Sequence, residues 1–143
     1  MGSDLKVGDI MTKKVIVISM GTNVGEAAKL MKKHSIGSLI IVDKKNGNKA
    51  KGIMTERDIV HKIIALKKNP YETTVDKIMS TPLAVVLPTT SIEVAAKAMR
   101  KDKVKRLPVV NDKDQLVGII SEDDIMKIFP AVIDLIEERV SLR

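Results

Sequence analysis

Two segments carry residue types at a spacing that could do chemistry. Gly52-Ile-Met-Thr55-Glu-Arg57-Asp58 and Gly118-Ile-Ile-Ser121-Glu-Asp-Asp124 share one pattern: a glycine, two apolar residues, a hydroxyl residue and, three residues on, an aspartate. A hydroxyl followed at that distance by an acid is first of all a helix-capping signal. The acid is Asp in both segments, however, although capping boxes prefer Glu or Gln. The glycine recurs at the same offset, and the neighbouring strands match too. At a helix start, free N–H groups and a hydroxyl suit a phosphate. An aspartate one turn in can accept hydrogen bonds from both ribose hydroxyls.

Other chemistries find no support. The chain has no cysteine, which excludes disulfides, thiolate catalysis and thiolate-bound zinc. His34 and His61 fall in separate helical patterns, each beside a lysine, with no second ligand at metal spacing, and read as solvated. No Ser-His-Asp set or paired carboxylates stand out, and neither dinucleotide nor P-loop glycine motifs occur. No enzymatic activity is expected. Met31, Met54, Met99 and Met126 read as core filler.

The two segments belong to a longer duplication. Val7-Gly-Asp-Ile-Met11-Thr12 aligns with Val75-Asp-Lys-Ile-Met79-Ser80, and the register holds to Lys44. It resumes, after a two-residue deletion in the next loop, through Ile63. The period is too long for a solenoid, so this is one supersecondary unit written twice. Each copy reads β-α-β-β-α. Strands are expected at Val15 to Ile18 and at Leu83 to Val86. Val24, Ala27, Ala28 and Met31 follow the spacing of one apolar helix face, repeated by Ile92, Ala95, Ala96 and Met99. Asn23 and Ser91 are the expected N-caps. Strands then run over Ser38 to Val42 and Leu107 to Val110, followed by polar hairpin loops. Third strands end at Met54 and Ile120, and second helices begin at Glu56 and Glu122. A linker near Lys67 to Thr74 contains the turn signal Asn69-Pro70. The tail after Pro130 has its own helical pattern in Val132, Ile133, Ile136 and Val140.

Each copy is about 60 residues, where a single core is marginal, so the two are expected to share one. Apolar residues are 44% and charged residues 30% of the chain, a globular composition. The only aromatics are Tyr71 and Phe129, so a base-stacking platform for single strands cannot be built. The net charge of +7 favours anionic partners. No apolar run approaches a membrane span, and MGSDLKVGDIM lacks the apolar core of a signal peptide. A cytoplasmic protein is expected.

The tandem units, the GIMTERD and GIISEDD segments, the Asp9-Ile-Met and Lys77-Ile-Met openings and Lys105-Arg-Leu-Pro-Val-Val110 together resemble paired cystathionine-β-synthase (CBS) repeats. The resemblance implies an α/β (α+β) fold of two β-α-β-β-α repeats packed with pseudo-two-fold symmetry. Repeat one would span 7–66 and repeat two 75–130, with a C-terminal helix at 131–143. It implies a cleft between the repeats with two pseudo-symmetric sites for an adenine nucleotide, AMP, ADP or ATP, and no other cofactor. Asp58 and Asp124 would read ribose; Thr55 and Ser121 would meet phosphate. Thr12, Ile16, Ile36 and Gly37 would complete the Asp124 site, and Ser80, Ala84 and Val104 the Asp58 site. The residues before the Leu-Pro-Val-Val strand often meet phosphates in such repeats. These are Lys105 and Arg106 in copy two, but Gly37 and Ser38 in copy one. The stronger phosphate clamp is therefore expected at Asp124, with Arg57 partly compensating near Asp58.

The resemblance further implies a regulatory module acting through a separate effector protein. A disc-like homodimer would form through helices bearing Ile59, Ile63, Ile125 and Phe129. S-adenosylmethionine or a similar adenosyl ligand is the nearest alternative. Nucleic-acid binding is motivated by charge alone, and a structural dimer with the motifs serving only as caps is a further reading.

Overall fold

The computed structural model describes residues 5–81 and 83–128. Phe129 and the C-terminal helix expected at 131–143 lie outside the described residues. The chain forms two compact units, each fed by two or more stretches of sequence. Of the described residues, the first contains 15–81, 83–84 and 111–116; the second contains 5–14, 85–110 and 117–128. The packing units are therefore cut differently from the sequence copies. The opening segment of copy one packs with the body of copy two, and that of copy two with the body of copy one.

In the first unit, β1 (Val17–Ser19) runs parallel to β2 (Ser38–Asp43), which pairs antiparallel with β3 (Lys49–Thr55). The sheet order is β1-β2-β3. α2 (Val24–His34) connects β1 to β2, following the short helix α1 (Val7–Ile10) of the second unit. Asn23 caps α2 by accepting from the Glu26 N–H at 2.8 Å, as its residue type dictates. α2 ends at Ser35, a non-glycine residue with φ 53°, whose N–H bonds the carbonyls of Lys32 and Met31. The apolar face of α2 supplies Val24, Ala27 and Met31 to a core completed by Leu39, Ile41, Met54 and Ile63. The opening of copy two adds Val75 and Ile78, joined through the Val75 N–H to the Thr22 carbonyl at 2.8 Å.

The second unit repeats the scheme. α4 (Ile92–Asp102) is capped by Ser91, whose hydroxyl accepts from the Val94 N–H at 3.2 Å. It buries Ile92, Ala95 and Met99. β4 (Arg106–Val110) pairs with β5 (Leu116–Ser121). Val7 is fully buried in this unit, and its N–H bonds the Thr90 carbonyl at 2.8 Å.

The first strands differ from expectation. The paired residues of β1 are Val17–Ser19, not Val15 to Ile18. In copy two the strand shrinks to one parallel bridge, Val86 to Val109. The Leu87 N–H is taken by the Thr90 hydroxyl at 2.9 Å instead of a ladder partner, and Pro88 has no N–H to give. Met31, Met54 and Met99 are buried as expected, but Met126 is 51% exposed and is not core. Ile63 is fully buried within its own unit, which removes it from any dimer face; Ile59 packs against the same core. The exposed apolar residues beside it are Val60 and Ile64. Among the described residues, no helix is long and apolar enough to cross a membrane.

Candidate functional site

β3 ends at Thr55 and α3 (Glu56–Ile59) begins at the next residue; β5 ends at Ser121 and α5 (Glu122–Met126) begins likewise. Both turns close the same reciprocal cap. The Thr55 N–H donates to Asp58 Oδ2 at 2.9 Å and the Asp58 N–H donates back to Thr55 Oγ1 at 3.3 Å. The Ser121 N–H donates to Asp124 Oδ2 at 2.9 Å and the Asp124 N–H to Ser121 Oγ at 3.1 Å. The capping function of both motifs is thus real, and it uses one carboxylate oxygen of each aspartate.

The glycines bring the opening segments in. A Cβ on Gly118 would lie 2.7 Å from Met11 Sδ and 3.1 Å from the Thr12 carbonyl oxygen. A Cβ on Gly52 would lie 2.6 Å from Met79 Sδ and 3.0 Å from the Ser80 carbonyl oxygen. Only glycine permits that approach without displacement. The crossing is fixed by paired backbone hydrogen bonds, Thr12 with Ile119 at 2.9 Å each way, and Ser80 with Ile53 at 2.8 and 3.3 Å. Thr12 is delivered by this crossing to the second junction, where its hydroxyl donates to Asp124 Oδ1 at 3.5 Å.

The strand that precedes each hairpin also touches the junction. The Glu122 N–H donates to the Lys105 carbonyl at 2.9 Å, and the Glu56 N–H to the Gly37 carbonyl at 3.0 Å. The second unit therefore brings Thr12, Lys105, Ser121 and Asp124 together, with Arg106 and Val104 adjacent in sequence. Neither Lys105 nor Arg106 forms an ion pair among the described residues. The first unit brings Gly37, Thr55 and Asp58 together, with Ser38 opposite Thr55 in the β2–β3 register and Ser80 bridged to Ile53. Arg57 is exposed and likewise has no ion pair among the described residues.

Ile16, Ile36 and Gly37, expected beside Asp124, belong to the first unit, and Val104, expected beside Asp58, belongs to the second. Ala84 falls in the same unit as Asp58 and is half-buried. Ile16 and Ile36 pack against the core of the first unit. Ile36 also lines a groove of about 500 Å³ with Ala28, Met31, Lys32, Ser35, Glu56 and Ile59.

One participant escaped the sequence reading. α3 continues through a π-helical turn, Val60–Ile64, and Lys62 on that turn pairs with Asp58 Oδ1 at 3.1 Å. The same ammonium donates to the Ile78 carbonyl at 2.9 Å. Asp58 is left only 8% exposed, whereas Asp124 is half-buried and has no ion pair among the described residues. The signal was available: Asp58 and Lys62 stand four apart on a helix, a pairing distance. The aligned position in copy two is the uncharged Ile128.

The sequence profile of the CBS domain matches residues 7–65 and 75–131. The uncharacterised protein MK0525 of Methanopyrus kandleri is 36% identical over 136 residues, covering 95% of this chain and 68% of that protein. The CBS domain-containing protein YhcV of Bacillus subtilis is 36% identical over 119 residues, covering 83% and 81%. Among solved structures, the CBS domain pair of protein MJ0100 in complex with 5′-methylthioadenosine and S-adenosyl-L-methionine superposes with a TM-score of 0.76 at 33% identity, covering 88% of this chain and 96% of that one.

Proposed function

Because the chain belongs to the CBS-domain proteins and carries two CBS domains in tandem, we propose that it is a regulatory module that reads an adenine nucleotide at the Asp124 junction. The observation that carries this reading is the division of labour within one carboxylate. Asp124 Oδ2 closes the helix cap, while Oδ1, among the described residues, meets only the Thr12 hydroxyl at the long distance of 3.5 Å. That oxygen can accept from a ribose hydroxyl without dismantling the cap. Lys105, just before β4 and with its carbonyl on the start of α5, and Arg106, the first residue of β4, supply positive charge for a phosphate. The ligand is AMP, ADP or ATP, bound without chemical change. Its effect on a partner requires unequal affinity for two states of the module.

The adenosyl ligands of the MJ0100 pair favour a second reading, in which an adenosyl thioether occupies the same place. The two differ in their need for the cations. A calorimetric titration of AMP, ADP, ATP and S-adenosylmethionine into wild type and Arg106→Ala separates them. The nucleotide reading expects AMP, ADP or ATP to bind and to weaken by about tenfold in the variant, in line with loss of a charged hydrogen bond. Binding of S-adenosylmethionine alone, unaffected by Arg106→Ala, would transfer the site to the thioether. No binding of any of the four would leave the motifs as helix caps.

The same reading places the protein in the cytoplasm as a homodimer that acts on a separate effector protein. Val60 and Ile64 on one unit and Met126 on the other are exposed apolar side chains suited to contact with a second copy. Their replacement by Ser is expected to lower the mass measured by light scattering to that of one chain.

A further inference from the structure

Lys62 makes the two junctions unequal in a way that bears on ligand occupancy. Its ammonium lies 3.1 Å from Asp58 Oδ1 and 2.9 Å from the Ile78 carbonyl oxygen. Asp58 Oδ2 is engaged by the Thr55 N–H at 2.9 Å and the Thr55 hydroxyl at 3.3 Å. Both carboxylate oxygens therefore already accept from within the chain, and the side chain of Asp58 is 10% exposed while that of Lys62 is 43% exposed. In the other copy the position aligned with Lys62 is Ile128, and Asp124 has no ion pair among the described residues.

We infer that Lys62 is an internal gate that closes the Asp58 junction to ligand, so that the module takes up one nucleotide per chain, at Asp124, and a second only when Lys62 is drawn away. This rests on the nucleotide reading above and adds its stoichiometry and its regulation. The chemistry is direct competition. A ribose hydroxyl would have to share Oδ1 with the ammonium, and a neutral donor there competes with a charge-assisted hydrogen bond. The ammonium also carries a second bond, to Ile78, so opening the gate breaks two contacts. A weakening of about tenfold relative to Asp124 is expected from contacts of this kind at partial exposure. Lys62 is reachable from solvent, so an anion other than the ligand that pairs with it can release Asp58.

The test follows both aspartates in one experiment. AMP is titrated into protein carrying carbon-13 at the Asp carboxyl positions, and the Asp58 and Asp124 signals are assigned with Asp→Asn variants. In wild type the Asp124 signal is expected to move first and the Asp58 signal only at about tenfold higher AMP. In Lys62→Met both are expected to move together, with the number of tight sites by calorimetry rising from one to two per chain. Lys62→Arg, which keeps the charge, is expected to behave as wild type. Circular dichroism of each variant confirms the fold, and Lys62→Gln provides a polar second test. Equal movement of both signals in wild type, or an unmoved Asp58 signal in Lys62→Met while Asp124 responds, would overturn the gate and leave the nucleotide reading standing. If neither carboxyl responds in any variant, the nucleotide reading falls and the gate falls with it.

Discussion

At Asp58 one carboxylate oxygen closes the cap of α3 and the other is held by Lys62 at 3.1 Å. At Asp124 one oxygen closes the cap of α5 and the other faces the Thr12 hydroxyl at 3.5 Å. The backbone around the two is nearly interchangeable: the same strand end, the same cap, the same glycine and the same crossing segment. Lys62 against Ile128 is one difference between the two junctions, and Lys105 and Arg106 against Gly37 and Ser38 is another. The scaffold matches between the copies, while the charges around the two aspartates differ.

If the scaffolds are equivalent, equivalent core truncations should cost the same. Leu39 and Leu107 occupy matching positions on β2 and β4, and each is 1% exposed. Leu39→Ala and Leu107→Ala are each expected to destabilise by about 3 kcal/mol in urea denaturation. A difference of more than about 1.5 kcal/mol, within the spread such sites show, would mean that one unit carries more of the stability than the other.

The aspartates should then separate. Asp58→Asn weakens a cap and strips Lys62 of its partner, and is expected to cost about 2 kcal/mol after allowance for the exposure of Lys62. Asp124→Asn weakens a cap alone, at about 1 kcal/mol. The order for nucleotide affinity is reversed, with the larger loss at Asp124. Equal effects of both variants on stability and on affinity would erase the distinction between the junctions.

A smaller effect concerns a contact that only the first unit has. Burial opposes ionisation of Asp76, but it is outweighed by hydrogen bonds from the Gly21 N–H, from its own N–H and from the Thr74 hydroxyl, and by the charge of Lys77, which together hold its carboxyl below the usual range. The Gly21 bond is 2.9 Å and ties the turn after β1 to the opening segment of copy two. Because the folded value is depressed, this stabilisation is fully present above the ordinary value of 3.8 and is lost as pH falls through the lower folded value. Asp76→Asn is expected to cost about 1 kcal/mol at pH 7. Its gap to wild type should close as the pH is taken below 3.8. A gap of the same size at both pH values would assign the contact to shape rather than to charge.

Much of this was legible in the sequence because local rules and global fold agree. The apolar faces of α2 and α4, the caps Asn23 and Ser91 and the strand-to-helix junctions at Thr55 and Ser121 each follow from periodicity or from a side chain bonding its own backbone. Thr12 beside Asp124 was reached through the family resemblance, and the crossing at Gly118 gives it a physical cause. What was hidden depends on contacts distant in sequence. The exchange of opening segments rests on isolated bridges such as Thr12 to Ile119 and Ser80 to Ile53 and on buried Val7, Val75 and Ile78, which leave no periodic trace. From sequence alone Ile63 fits a dimer face or the core equally, because an apolar residue on a helix looks the same facing either. Lys62 was passed over as one lysine among many, although its spacing from Asp58 marked it.

The most direct measurement of the central claim is calorimetric titration of AMP into wild type, Asp124→Ala and Asp58→Ala side by side. One tight AMP per chain is predicted for wild type, with that tight binding lost in Asp124→Ala and retained within about threefold in Asp58→Ala, a change of less than 1 kcal/mol. Binding that survives Asp124→Ala and disappears with Asp58→Ala would contradict it, placing the reader at the junction that Lys62 is said to close.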